Sequence, residues 1–264
     1  MKERCNKMNN ITLFKIPALV LAAALTACGG GGTDAGAGAP ATPTTPTTPA
    51  APAVKLADAQ GFWSATASAT SSASAVILPN GQAWVVYQTG GAITALAQAT
   101  LSLNGATFTS VGKHYSLPAG AVLDYNFSGN LTVAGAGTLT NSVTIGSGTP
   151  AALTWTYNKT YETPAVLSSV QGRWSGKQGA DSLVWDIDAA GSLAGTSTTG
   201  CTYGGTITPN TNPVAVLDVA IGETCAGASQ TLTGIATLNA AKTGMSLAYT
   251  TSAGTQGGVV VLAK

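Results

Sequence analysis

Histidine and charged side chains are scarce in this sequence, and their scarcity excludes several classes of protein. His114 is the only imidazole, and charged residues make up 8% of the chain. A tetrahedral zinc site needs about four ligands. The four basic residues and one acidic residue before position 28 leave seven Lys or Arg against nine Asp or Glu, so a basic face for nucleic acid is not expected. We therefore expect no metal, no cofactor, no nucleic acid partner and no enzymatic activity.

The sequence also has no apolar run long enough for a membrane-spanning helix, and the short run near the N-terminus has the length found in signal peptides. After residue 28, no segment reaches the eighteen or so apolar residues that a spanning helix needs. Residues 16–24 form a shorter apolar run that is preceded by basic residues, as in a signal peptide. The next four residues, Leu25-Thr26-Ala27-Cys28, resemble the lipobox of bacterial lipoproteins. This resemblance implies that residues 1–27 are a signal peptide and that Cys28 carries a diacylglyceryl group.

A tether is expected directly after Cys28. Residues 28–55 consist mainly of Gly, Ala, Thr and Pro, which cannot bury enough apolar surface to fold. Prolines favour extended conformations, so the segment is suited to holding a domain away from a bilayer. Gly29 stands where Asp commonly retains lipoproteins at the inner membrane, so the outer membrane is the expected location. The alternative is an ordinary secretory signal with an incidental cysteine.

The rest of the chain begins twice in the same way. Gln60-Gly61-Phe62-Trp63-Ser64 returns 111 positions later as Gln171-Gly172-Arg173-Trp174-Ser175. Each copy is followed by an apolar segment and a glycine turn, at Gly81 and at Gly191. The pattern indicates duplication of a unit of about 100 residues. We place the first unit at 56–163 and the second at 164–264.

Both units have the alternation of short β-strands separated by turns. For the second unit we predict strands at 172–178, 182–188, 192–198, 203–208, 214–220, 230–238, 244–251 and 257–263. Eight short antiparallel strands favour a closed meander, since closure removes exposed sheet edges. The predicted fold is therefore all-β, with two tandem small antiparallel barrels after the tether. A pair of β-sandwiches is the alternative.

The Gly-x-Trp pattern at the first strand of each unit resembles the calycin group, the lipocalins and avidins. This resemblance implies that Trp63 and Trp174 plug one end of each barrel. A wider resemblance rests on the lipobox, the tether, Gly-Phe-Trp-Ser, Leu-Pro-Asn-Gly-Gln-Ala-Trp and Gly-Cys-Thr-Tyr-Gly-Gly. These segments are similar to a group of proteobacterial lipoproteins whose function is not established. That group implies an exported, tethered, two-unit β protein, and it supplies no catalytic residue and no ligand.

Cys201 and Cys225 are the only cysteines after Cys28. In an oxidising compartment such an even pair is by default a disulfide, which here closes a loop of about 25 residues. A metal site at these cysteines is the rival hypothesis. It is disfavoured because the single histidine lies in the other half of the chain.

Three polar features are candidates for chemistry. A hydrolase would need His114 beside a serine and an aspartate such as Asp58 or Asp124, but no Gly-x-Ser-x-Gly motif accompanies the histidine. Asp186 and Asp188 point to one face of a strand, with Asp181 nearby, and this arrangement suits either a cation site or a turn. A structural histidine and a solvated strand face are the alternative interpretations.

Aromatic residues are better candidates for binding, because Trp84 with Val86, Trp155 with Tyr157 and Tyr125 with Phe127 are i, i+2 pairs that each lie on one face of a strand. Candidate binding residues are Trp84, Tyr87, Trp155 and Tyr157. If these side chains face solvent, they can stack on sugar rings or anchor a protein; if they face inward, they form core.

The expected role is that of a lipid-anchored envelope protein, either a surface binding or interaction module or a structural one. Its expected partners are the membrane, through the N-terminal lipid, and a protein or a glycan. Its expected location is the outer membrane, facing the periplasm or the cell surface. The first alternative is a carrier of a small apolar ligand in a calycin-like barrel, and the second is a hydrolase.

Overall fold

The computed structural model describes residues 54–264 except 106, 119, 133–136 and 179. These described residues belong to one compact unit. The predicted signal peptide, the lipidation site Cys28 and residues 28–53 of the tether lie outside them. Within the described part of the chain, no helix has the length and apolar character needed to cross a bilayer.

The first half of the described chain forms a closed barrel of eight antiparallel strands. A short 3₁₀ helix, Leu56–Ala59, precedes the first strand. The strands follow in sequence order, each hydrogen-bonded to the next, and β8 pairs with β1 to close the barrel. They are β1 Gly61–Thr66, β2 Ser71–Ile77, β3 Gln82–Thr89, β4 Ala92–Asn104, β5 Thr107–Ser116, β6 Val122–Thr132, β7 Thr138–Ile145 and β8 Ala151–Asn158.

A second closed barrel of the same topology follows. Between the two barrels lie a 3₁₀ helix, Lys159–Glu162, and a single helical turn, α1 Leu167–Val170. The strands are β9 Gly172–Gln178, β10 Asp181–Ile187, β11 Ser192–Ser197, β12 Thr202–Pro209, β13 Leu217–Cys225, β14 Ala228–Leu238, β15 Gly244–Thr251 and β16 Gly257–Ala263. The predicted all-β fold with two tandem meander barrels is confirmed, and the sandwich alternative is wrong.

Alternation of side chains explains why each sheet closes around a core. In β10, Leu183, Trp185 and Ile187 are buried inside the second barrel, and the residues between them are more exposed. The inward residues of neighbouring strands are register partners, so they stack in layers. Closure pairs the strand edges, which would otherwise carry unpaired amides and carbonyls.

One end of each barrel is closed in the same way. Trp63 is 3% exposed, and its Nε1 donates a hydrogen bond to the Ala59 carbonyl at 2.9 Å. Trp174 is fully buried, and its Nε1 donates to the Val170 carbonyl at 2.6 Å. Each indole is thus held by the short helix that precedes its strand. The repeated Gly-x-Trp pattern therefore encodes one capping arrangement that occurs twice.

The glycine turns complete these capped ends. Gly81 and Gly191 have φ values of +85° and +82°, a region that favours glycine. A Cβ on Gly81 would lie 2.7 Å from the Leu101 carbonyl oxygen, and one on Gly191 would overlap the Ile207 carbonyl oxygen. Hydrogen bonds of 2.8 Å join the same partners, Leu101 N to Gly81 O and Ile207 N to Gly191 O. Close backbone approach is the reason that glycine occupies both positions.

One predicted strand, 214–220, is displaced. The strand in this region is β13, Leu217–Cys225, and residues 214–216 precede it in irregular structure. The Val214 carbonyl accepts a hydrogen bond from Ala165 N, and Ala215 N donates to the Tyr161 carbonyl, both at 2.9 Å. This β-rich segment is therefore bonded to the connection between the barrels, which takes it out of the sheet.

The two barrels pack against each other through their outer faces. Trp84, Leu96 and Tyr115 of the first barrel form one buried cluster with Ile235 and Ala248 of the second. Where the barrels meet, strand residues are apolar on both faces, as in β3, in which three consecutive residues are buried. This packing joins the barrels through an apolar interface in addition to the chain connection.

Candidate functional site

A cleft of about 810 Å³ lies between the barrels. It is bounded by the start of β4, the β5–β6 turn, the end of β9 and the β15–β16 hairpin. Binding sites of small ligands are typically concave and of this size, and they are common between domains. We call it the inter-barrel cleft, defined by Ile93, Leu117, Val122, Lys177, Tyr249 and Val261.

Connectivity places this cleft away from the capped ends. In an up-and-down barrel, successive turns alternate between the two ends. The β3–β4 and β5–β6 turns therefore lie opposite the start of β1, and the β9–β10 and β15–β16 turns lie opposite the start of β9. Val54 and Lys55 precede the capping helix, so the first described residues lie at the end of the first barrel remote from the cleft.

Apolar side chains form part of the cleft wall, and two of them are unusually exposed. Val122 is 39% exposed and Val261 is 49% exposed. Ile93, Leu117 and Val259 continue the same surface. Exposed large apolar residues gathered in a concavity indicate an interaction site, whereas isolated ones do not.

Polar groups of the cleft come mainly from the second barrel. Lys177 is exposed on β9, and it is the only formally charged residue in the described lining. Next to it, Gln178 Nε2 donates a hydrogen bond to the Tyr249 hydroxyl at 2.6 Å. Burial raises the pKa of the Tyr249 hydroxyl above its ordinary value, so this group stays protonated at neutral pH. The cleft thus offers one cation beside neutral donors and acceptors.

Tyr115 fixes the first barrel against the second at the base of the cleft. Its hydroxyl donates to the Gly254 carbonyl at 3.2 Å. Its ring covers Gly257, where a Cβ would lie 2.7 Å from the ring Cγ. The Tyr115 ring can pack against Gly257 because glycine has no side chain. Both residues belong to the wall of the cleft.

A second groove of about 270 Å³ adjoins the first. Ile93, Val259 and Val261 line both cavities. Beyond these shared residues the groove is mainly apolar, lined by Val76, Trp84, Val86, Ile235, Leu247 and Ala248. The two cavities therefore adjoin each other, the first with a mixed lining and the second with a mainly apolar one.

The barrel interiors are filled by side chains. Phe108 and Trp155 in the first barrel, and Trp174 and Trp185 in the second, are 2% exposed or less. Both cavities described above lie between the barrels. A ligand site is therefore better sought in the inter-barrel cleft than in a lumen.

His114 lies inside the first barrel among other buried polar groups. It is 8% exposed, and its ring centroid is 5.9 Å from that of Tyr87. The Tyr87 and Tyr125 hydroxyls are 3.0 Å apart, and burial raises the pKa of Tyr87 to about 12. Burial also lowers the pKa of His114, which favours its neutral form. The arrangement has the character of a buried polar core.

The predicted hydrolase partners are not brought together. Asp124 lies on the outer surface, where one carboxylate oxygen is 2.8 Å from the Lys113 ammonium. Lys113 and His114 are adjacent on β5, so their side chains point to opposite faces of the wall. Asp58 is used locally, since its carboxylate accepts a hydrogen bond from Lys55 N at 2.7 Å. No His–Asp pair suited to activating a nucleophile forms among these residues.

The three aspartates of the second unit have separate local roles. Asp188 Oδ1 accepts hydrogen bonds from Ala190 N at 2.9 Å and Ser192 N at 2.8 Å, which is the predicted turn. Asp186 lies 3.7 Å from Arg173 on the outer face. The Thr198 hydroxyl hydrogen-bonds Asp181 and is the largest cause of its pKa falling to about 2. They do not converge on a cation site.

The predicted aromatic binding residues are mostly internal. Trp84 is 3% exposed between the barrels, and Trp155 is 1% exposed inside the first barrel. Tyr87 is half-buried in the same interior, and Tyr157 packs edge-on against Trp63 and bonds Glu162. Neither Trp84 nor Trp155 therefore has an exposed ring face on which a sugar or a protein could stack.

The predicted disulfide is present. Cys201 and Cys225 are bonded at the adjoining ends of β12 and β13, with their Cα atoms 4.3 Å apart. Glu223 lies close enough to group with them as metal ligands. Since both sulfurs are engaged in the bond, they are not available as thiolates, which are the metal-binding form.

Sequence patterns did not reveal the inter-barrel cleft. Its walls come from four separate segments, and each contributes residues that are ordinary in a strand or a turn. The outward Val259 and Val261 in the closing Val-Val-Val-Leu run were one available signal, because alternation predicts that one of the two faces is polar. In comparisons with known proteins, the chain matches no protein-family model and no curated protein.

Proposed function

We propose that this protein is a lipid-anchored binding protein of the bacterial outer membrane that takes up a ligand in the inter-barrel cleft. The observation that carries the proposal is the cleft itself, about 810 Å³ between two packed barrels. Exposed apolar side chains and polar groups both line it, and a concave site between two units is a common position for a ligand.

The architecture supports binding better than catalysis. The chain's only histidine is buried in the first barrel, and Asp124 is paired with Lys113 on the outside. Closed sheets also leave no free edge for strand addition by a peptide. The cleft between the two barrels is preformed, so binding of a ligand there requires little reorganisation of the protein.

The anchor is the second part of the proposal. Leu25-Thr26-Ala27-Cys28 supports acylation at Cys28, and Gly29 supports transfer to the outer membrane. Because the described chain starts at the capped end of the first barrel, a tether attached there leaves the cleft end free. The barrels are then exposed to the surrounding medium. The proposed role is therefore that of a binding module of the cell envelope.

Replacing Cys28 by Ser tests the anchor. We expect the variant to move from the membrane fraction to the soluble fraction, because two or three acyl chains provide the membrane affinity and each buried methylene contributes about 0.8 kcal/mol. Fractionation of host cells, with mass spectrometry of the N-terminal peptide, measures this directly. Equal membrane association of the Ser variant would contradict lipidation at Cys28.

Val261→Glu tests the cleft, with Val111→Glu as its matched control. Both valines are exposed, at 49% and 75%, so neither change is expected to unfold the protein. Only Val261 lines the cleft. Native mass spectrometry of protein purified from its own host is expected to show a bound ligand on the wild type and on Val111→Glu, and loss of most of it on Val261→Glu. An identical ligand load on all three proteins would place binding elsewhere.

A further inference from the structure

The lining of the inter-barrel cleft indicates the class of its ligand, an inference that rests on the proposed function. We propose that the cleft binds a free single-chain amphiphile with an anionic head group, such as a fatty acid. The head group lies at Lys177, and the alkyl chain follows the apolar groove toward Trp84.

Charge is the first argument. Lys177 is exposed, and no carboxylate lies among the described residues that line the cleft. Neither of the two ion pairs formed by the described residues involves Lys177. Burial raises the pKa of the neighbouring tyrosines, Tyr115 and Tyr249, so their hydroxyls stay neutral. The cleft therefore presents one positive charge that is not engaged in an ion pair, which favours an anionic head group over a neutral or cationic one.

The surroundings of Lys177 suit the head of such a molecule. Gln178 and Tyr249 are already hydrogen-bonded to each other, which fixes their positions beside the ammonium. Hydroxyl and amide groups of the β5–β6 turn and the β15–β16 hairpin complete the polar end, namely Ser116, Thr255 and Gln256. A carboxylate there is able to accept hydrogen bonds from neutral donors as well as the lysine.

The adjacency of the two cavities is the second argument. Ile93, Val259 and Val261 line both cavities, so an apolar surface lies between the polar end of the cleft and the second groove. Beyond it lie Val76, Val86 and Ile235 on the facing outer walls of the two barrels. An apolar groove that adjoins a cleft with one cation suits a linear alkyl chain with an anionic head. A compact polar ligand such as a sugar would leave this groove unfilled.

The position of the cleft favours a free amphiphile over a bilayer lipid. The first described residues lie at the capped end of the first barrel, and the cleft lies at the opposite end. An anchor that joins the protein at the capped end therefore leaves the cleft end accessible from the surrounding medium. The cleft is therefore accessible to an amphiphile that is dissolved in the surrounding medium.

Calorimetric titration of the full chain carrying Cys28→Ser, which keeps anchor acyl groups out of the assay, tests the proposal with decanoate and decanol. We expect decanoate to bind more tightly than decanol. Lys177→Glu is expected to weaken decanoate binding about tenfold, since an exposed attraction is replaced by a repulsion, and to leave decanol binding within about twofold. Lys159→Glu, an exposed lysine outside the cleft, is the matched charge control and is expected to change neither affinity.

Chain length provides a second readout. Each methylene removed from the alkyl chain is expected to lower affinity about fourfold, so octanoate binds more weakly than decanoate by about fifteenfold. Equal losses of decanoate and decanol binding in Lys177→Glu would overturn the assignment of the head group. Failure of decanoate to bind, while the host ligand is still lost from Val261→Glu, overturns the amphiphile and leaves the proposed function standing. If Val261→Glu also keeps its ligand, the cleft itself is not the site.

Discussion

Replacement of Trp174 by Ala is expected to lower the free energy of unfolding by about 3–5 kcal/mol. The indole is fully buried beneath the helical turn α1, with the Lys264 ammonium 5.1 Å from the ring centroid. Truncation leaves a cavity at the closed end of the second barrel. It also removes the 2.6 Å hydrogen bond that holds the Val170 carbonyl. Urea denaturation followed by circular dichroism measures the loss.

Two companion variants separate the contributions to this effect. Trp174→Phe retains an aromatic ring and loses the Nε1 donor, so a smaller loss of about 1–2 kcal/mol is expected. Trp63→Ala removes the equivalent indole of the first barrel, which donates to Ala59 in the same way, and a loss similar to that of Trp174→Ala is expected. A loss below about 1 kcal/mol for Trp174→Ala would contradict its role as the cap of the barrel.

Removal of the Cys201–Cys225 disulfide is expected to cost about 3 kcal/mol. The bond joins residues 24 positions apart and restricts the unfolded chain more than the folded one, because β12 and β13 are already paired in the barrel. The double variant Cys201→Ala/Cys225→Ala and the dithiothreitol-reduced wild type are both expected to unfold at lower urea concentration than the oxidised protein.

Chemical mapping provides the control for the disulfide variant. Non-reducing peptide mapping of the wild type is expected to recover Cys201 and Cys225 in one linked pair of peptides. Identical urea midpoints for the oxidised and reduced wild type would show that the bond adds no stability. Free thiols at both positions in protein from the host envelope would show that the bond is not used there.

Local patterning was enough to predict most strands of the second barrel. β9, β15 and β16 have the predicted bounds, and β10, β11, β12 and β14 differ from prediction by a residue or two at their ends. Period-2 alternation and glycine turns are local signals, and they hold wherever one face of a strand is buried. β13 departs from prediction because Val214 and Val216 are buried in the cluster between the barrels, an environment that alternation within one strand does not encode.

The candidate site was less predictable than the fold. Trp84 was selected as a binding residue for its aromatic ring, yet the second barrel covers it. Val261 and Lys177 were not selected, because a valine in a terminal strand and a lysine near a turn are ordinary in sequence. They lie side by side because β16 pairs with β9 when the second barrel closes, with Val261 as the register partner of Lys177. Closure joins the two ends of a unit about 90 residues apart, and local sequence carries little information about such a contact.

Residue pattern alone therefore determined the all-β class, the two repeated units, the tryptophan at the start of each and the pairing of Cys201 with Cys225. Each depends on short-range alternation, on a repeated motif or on the elimination of other cysteines. The tertiary structure decided which outer faces are buried, where the cleft lies and that Lys177 stands alone at its polar end. These features arise where two closed barrels meet, because burial of an outward side chain depends on a neighbour distant in sequence.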